Sequence, residues 1–187
     1  MTARFTLARI AILGIAVTAL IVGAVMYYLQ VYAFYEEVNA EQVGEVQLVS
    51  LNTGVPEPIL FENFKGIDSN SAPVRFRACF DTPYSQAMLT ETYQTYPRAE
   101  PLVAPGWFDC FDAVALGAAL ESGEAIAFLG VPDIRYGIDR VVAVMPDGRG
   151  FVWHQINPCG AVAFSGDPLP EGCDPAPESP TDARSAD

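Results

Sequence analysis

Residues 10–29 read IAILGIAVTALIVGAVMYYL, 20 consecutive residues without a charge. That is the length a helix needs to cross the hydrocarbon core of a bilayer. Arg4 and Arg9 precede the run; Glu36, Glu37, Glu41 and Glu45 follow it, and no Lys or Arg returns before Lys65. The positive-inside rule therefore puts the N-terminus in the cytoplasm and the rest of the chain outside. A cleaved signal peptide has an apolar core of about 7–15 residues and a small-residue cleavage site. This run is longer and ends in Tyr27-Tyr28-Leu29, so an uncleaved signal anchor is expected, with the remainder outside the cytoplasm. The short lead before it leaves little room for a cytoplasmic effector.

The exit from the run is aromatic. Tyr27, Tyr28, Tyr32, Phe34 and Tyr35 suit an interface, where a ring sits in lipid and a hydroxyl in water. Tyr28, Tyr32 and Tyr35 are spaced i, i+4, i+7, which predicts one face of a helix continued beyond the bilayer. That face reads either as an aromatic belt or as a docking surface. Ala16, Ala19 and Gly23 also lie near one helix face, a weak sign of helix association.

The part after the run is strongly acidic. Of 10 cations two precede the helix, leaving 8 against 23 acids, or −15. Nucleic acid and anionic headgroups would be repelled, whereas a basic partner is permitted. The expected divisions are a cytoplasmic N-terminus (1–9), the membrane helix (10–29), an aromatic and acidic stalk (30–42), a folded domain (43–157) and a largely disordered Pro-rich tail (158–187).

Within the folded part, Val43–Leu51 and Val74–Phe80 show strand alternation, with Val74, Phe76, Ala78 and Phe80 on one face. Val55–Pro58 carries two prolines, so any strand there is short or at an edge. Gly66–Pro73 reads as a loop. Thr82-Pro83 is a helix start, with Met88, Leu89 and Tyr93 facing inward. Asp109 or Asp112 caps a second helix that Gly123 ends. Glu124–Leu129 is a strand, and Arg140–Met145 and Phe151–Ile156 flank a Pro146-Asp147-Gly148-Arg149 hairpin turn. This order predicts an α+β domain: a mostly antiparallel sheet with two helices on one face.

Cys79, Cys110, Cys159 and Cys173 form an even set in an exported chain. Disulfides are preferred, as Cys79–Cys110 and Cys159–Cys173. Free thiols, zinc and redox exchange are the rival readings, the last two disfavoured by the absence of a C-x-x-C pair and by a single histidine. That histidine, His154, alternates with Trp153 on a predicted strand and has no nucleophile at a supporting spacing. No phosphate-binding glycine loop, G-x-S-x-G, H-E-x-x-H or EF-hand spacing is present. The expectation is a protein without catalytic residues, metal or cofactor. In Pro105–Phe111, Trp107, Phe108 and Phe111 surround a cysteine. They read as a staple between helix and sheet, or as an exposed aromatic patch for a partner, with Trp107 and Phe108 as the interface candidates.

The segments MYYLQVYAFYEEV (26–38), VRFRACFDTP (74–83), APGWFDCFDA (104–113) and DRVVAVMPDGR (139–149) resemble a family of small alphaproteobacterial proteins known only as a domain of unknown function. The resemblance covers roughly residues 20–157. It implies one N-terminal membrane helix and an exported domain. Some members carry a histidine-kinase label, which this chain contradicts because it has none of the ATP-binding glycine boxes. The family lends no catalytic residues. Anchor, aromatic exit and acidity together predict an accessory, assembly or interaction protein for a larger membrane complex, such as a respiratory or photosynthetic one, or a homo-oligomer. A ligand-sensing domain and a thiol-based enzyme are the alternatives.

Overall fold

The computed structural model describes residues 2–177; Met1 and residues 178–187 of the expected tail lie outside it. Two compact units divide near residue 36. The first is helix α1, Thr2–Tyr28, continued by a π-helical turn over Leu29–Ala33. The stretch Ala8–Ala33 is long and apolar enough to cross a bilayer: its 26 residues span about 39 Å at 1.5 Å each, against roughly 30 Å of hydrocarbon. The expected tyrosine stripe is interrupted here. Wider winding brings Tyr32 against both Tyr28, stacked at 5.9 Å, and Tyr27, edge-on at 6.4 Å. The helix stops at Ala33, so Tyr35 lies beyond it instead of continuing the face.

The second unit contains β1 (Glu36–Val38), α2 (Ala40–Val43), β2 (Gln47–Val49), β3 (Pro56–Pro58), β4 (Glu62–Asp68), β5 (Arg77–Asp81), α3 (Gln86–Thr92), α4 (Ala113–Ser122), β6 (Ile126–Arg135), β7 (Ile138–Val144), β8 (Arg149–Ile156) and α5 (Pro158–Ser165). Six strands form one sheet in the order β1-β4-β5-β8-β7-β6, and β2 and β3 form a hairpin beside it. The registered pairs are antiparallel, so the expected α+β class holds. Residues 94–96 run along β6: Tyr96 N–H donates to Ala127 O at 2.8 Å and Leu129 N–H to Gln94 O at 2.9 Å. Gln94 N–H also donates to Val49 O, which ties the hairpin to the main sheet.

Strand alternation gives the sheet two buried faces. Phe76, Ala78 and Phe80 share one with Val142, Val144 and Val152; Leu89 of α3, Tyr93 just after it and Leu48 of β2 cover it. The other presents Cys79, Phe151 and Trp153, and Phe111, just before α4, packs edge-on against Phe151 and Trp153. The two helices expected on one face thus lie on opposite faces. Both layers of β5 needed cover: Arg77 and Cys79 on one face are buried, as are Ala78 and Phe80 on the other.

Several boundaries moved for local reasons. β4 occupies part of the stretch read as a loop; a bulge between Glu62 and Lys65, with Asn63 at φ 53°, breaks its alternation. α3 starts later than Thr82-Pro83. Ser85 caps it by accepting from Met88 N–H, while Thr82 donates its hydroxyl to Leu60 O. Asp112 caps α4, accepting from Val114 and Ala115 N–H, and Gly123 ends it. β6 runs on through Pro132 by means of register shifts. The β7–β8 turn is the expected one: Gly148 takes φ 89°, and a Cβ there would lie 2.6 Å from Thr82 O.

Both preferred disulfides are present, Cys79–Cys110 and Cys159–Cys173, and they fit an oxidising compartment outside the cytoplasm. The second alters the picture of the tail. Asn157 caps α5 by accepting from Gly160 N–H, with Pro158 at the first helical position and Gly166 ending it. Tyr136 holds the segment, edge-on to Phe164 and donating to Asp174 O at 2.8 Å. The described part of the tail, 158–177, therefore starts with a helix fastened back onto the domain.

Candidate functional site

The aromatic segment 105–111 divides its labour. Phe111 is buried and staples α4 to the sheet. Phe108 is buried too, with its N–H donating to Pro105 O at 2.9 Å. Trp107 is half-buried, lies edge-on to Phe108 at 6.3 Å, and lines a cleft of about 550 Å³. Both roles expected for the segment occur, on different residues.

Three elements build the rest of the cleft. From β1 and α2 come Glu37, Asn39 and Gln42; from β4 come Phe64, Lys65 and Gly66; beside Phe108, Asp109 completes the lining. Asn39 and Gln42 are locked by a capping box: Asn39 Oδ1 accepts from Gln42 N–H and Gln42 Oε1 from Asn39 N–H, each at 3.0 Å. Each side-chain oxygen therefore faces a backbone N–H. Gly66 lets β1 approach, since a Cβ there would lie 2.9 Å from Val38 Cγ2. The Cys79–Cys110 bridge holds the Asp109 side in place. Glu37, Lys65 and Asp109 are exposed, so the rim is charged and the floor aromatic. Hydropathy alternation did not find this site, because Glu37, Asn39 and Gln42 lie in a short irregular stretch; the N-x-x-Q spacing of the capping box was the available signal.

A larger groove, about 810 Å³, runs between α4 and residues 95–101. Ala113, Gly117, Ala118, Ala125 and Ala127 contribute much of its wall, and Arg98, Glu100 and Glu121 are its charged residues. Its mostly small side chains offer little to orient a ligand, so the Trp107 cleft is the better candidate despite its smaller size.

His154 is placed where its ring is fully engaged. Nδ1 lies 2.7 Å from Pro73 O and so carries the proton; Nε2 accepts from Arg140 Nε at 3.2 Å. The ring stacks on Phe76 at 4.8 Å, and the Arg140 guanidinium lies over the same Phe76 ring at 4.9 Å. Burial first, then the Arg140 charge, pushes the His154 pKa down to about 3. Burial also lowers Arg140 to about 10, opposed by the charge of Asp68, and raises the Asp68 carboxyl. Arg77 is buried as well, donating to the carbonyls of Leu102, Val74 and Phe76. On these contacts His154, Arg140 and Arg77 hold loops to the sheet.

A second polar knot joins the β6–β7 turn to α5. Asn157 Nδ2 donates to both Asp133 Oδ1 and Asp139 Oδ1, Asp133 N–H donates to Asp139 Oδ1, and Tyr96 OH donates to Asp139 Oδ2. Burial and the neighbouring Asp139 raise the Tyr96 pKa. Among the described residues no group of three or more His, Cys, Asp or Glu is placed to hold a metal ion.

The fold and cleft define a disulfide-bonded, mostly antiparallel α+β domain that follows an apolar helix of membrane-spanning length. Within that class, the chain belongs to the Family of unknown function (DUF6446), whose model matches residues 46–174. The match takes in all four cysteines and Phe64, Lys65, Trp107, Phe108 and Asp109 of the cleft; Glu37, Asn39 and Gln42 precede it. No curated protein and no solved structure matches the chain.

Proposed function

We propose that this protein is a single-span, inner-membrane-anchored interaction module whose domain faces the periplasm and serves a larger membrane complex as an accessory or assembly factor. The observation that carries the reading is the Trp107 cleft: a half-buried indole with charged and amide groups at its rim, on a domain that follows a helix of spanning length. Half-buried Trp is the residue type most enriched at energetic centres of interfaces. The two disulfides, and Arg4 and Arg9 before the helix with no Lys or Arg after it until Lys65, support the periplasmic orientation.

The test is purification of the tagged full-length chain from its own membranes in mild detergent. A membrane protein should co-migrate at fixed stoichiometry and be released by Trp107→Ala. A clean monomer overturns the proposal. The cleft also suits a ligand-binding domain, since its volume lies within the roughly 300–1,000 Å³ of small-molecule sites.

A further inference from the structure

We infer that the Trp107 cleft receives a cationic side chain, arginine or lysine, carried on an exposed segment of a protein partner. This rests on the interaction-module reading and names the chemistry of what docks. An aromatic face flanked by carboxylates is the surface a guanidinium or ammonium fits, because the ring quadrupole and the anions attract the same charge. Trp107 supplies the face, and Glu37 and Asp109 the carboxylates.

Charge complementarity extends past the lining. Glu36, Glu41 and Glu62 are exposed on β1, α2 and β4, the elements that build the cleft, and Lys65 is the cation among them. Glu62 sits directly opposite Asp81 in the β4–β5 register. Asn63 Nδ2 donates to Asp81 Oδ2 at 2.8 Å and ties that carboxylate to β4. Elsewhere in the domain Arg77 is buried and Arg140 largely so, each engaged with its neighbours, and they offset little of this surface charge. An anionic ligand would meet net repulsion, and a purely apolar one would leave the Glu37 and Asp109 carboxylates without a counter-charge.

The experiment titrates the full-length chain, in neutral detergent, with the blocked peptide acetyl-Gly-Arg-Gly-Arg-Gly-amide, reading the indole N–H resonances of Trp107 and Trp153. The Trp107 resonance should move and that of the buried Trp153 should stay. Affinity should fall about threefold or more between roughly 50 and 300 mM NaCl. It should fall about tenfold in the Glu37→Gln/Asp109→Asn double variant, and rise about threefold in Lys65→Met, where a competing cation is removed. The gain from Lys65→Met is a change that a purely structural role for Lys65 would not produce. No movement of Trp107, or affinity indifferent to salt and to all three substitutions, overturns the inference. So does salt-independent binding of triacetylchitotriose at Trp107 in place of the peptide, which would make the cleft a glycan site. The two proposals fail separately: a partner still captured by the double variant rejects the cleft and keeps the module, whereas a wild-type chain that captures nothing rejects the module.

Discussion

Removing the Cys79–Cys110 bridge, as Cys79→Ala/Cys110→Ala, should be the most costly disulfide loss. The bridge spans 31 residues, and loop closure in the unfolded chain then contributes about 3.7 kcal/mol at 25 °C. Cys79 is also buried between β4 and β8, so truncation adds about 1 kcal/mol for the space left behind. The expected loss is about 4–5 kcal/mol, a large part of the roughly 5–15 kcal/mol of a typical domain. The Cys159–Cys173 bridge spans 14 residues and is worth about 3.0 kcal/mol on the same model. Urea unfolding of the full-length chain in detergent, followed through tryptophan fluorescence, measures both. The first variant should lose roughly 2 M in midpoint at a slope near 2 kcal/mol/M, and the slope should steepen because the unfolded chain is no longer looped. A loss under about 1.5 kcal/mol, or a larger loss from the shorter loop, would refute the entropic argument.

Phe111→Ala should cost about 3–5 kcal/mol, since its ring is buried between Phe151 and Trp153, whereas half-buried Trp107→Ala should cost much less; thermal melts of the two separate staple from platform. His154 has a folded pKa of about 3, below its unfolded 6.5, so the unfolded chain takes up the proton first: stability is full above pH 6.5 and declines toward pH 3. Its Hε1 resonance should therefore show no titration down to about pH 4.5, and a midpoint above 5 would contradict the burial argument. Gly66→Val should push Val38 and Phe64 apart and cost about 1–3 kcal/mol, with fast amide exchange in residues 36–38; unchanged protection there would show that β1 does not depend on the close approach.

The sheet centre and the caps of α4 were legible because each depends on residues close in sequence, whereas Ser85 and not the expected Thr82 caps α3. β5, β7 and β8 are buried along most of their length, Asp112 and Gly123 bracket α4, and the Pro-Asp-Gly-Arg turn closes its hairpin. β4 was not legible: it is one strand from the edge, much of it is exposed, and a bulge disrupts its pattern. α5 carried its own signals in Asn157-Pro158 and Gly166, but its Pro-rich surroundings masked them. Trp107 and Phe108 stood out as a pair by residue type, yet nothing nearby in sequence says that Phe108 turns inward while Trp107 lines a cleft. That outcome depends on Glu37, Gln42 and Lys65, some 40 to 70 residues earlier.

The way the sheet ends has a consequence for crowding. An open strand edge is a template for the next chain, and molecules confined to a membrane plane meet more often than the same number in solution. At one side β1 is three residues long and carries Glu36 and Glu37. At the other, β6 is hydrogen-bonded by residues 94–96 and interrupted by register shifts around Pro132, which has no N–H to offer. Neither margin invites a copy of the chain to add a strand. On the proposed anchor, such a domain can be packed densely at a bilayer surface without polymerising, and its contacts with other proteins are left to side chains instead of to exposed backbone.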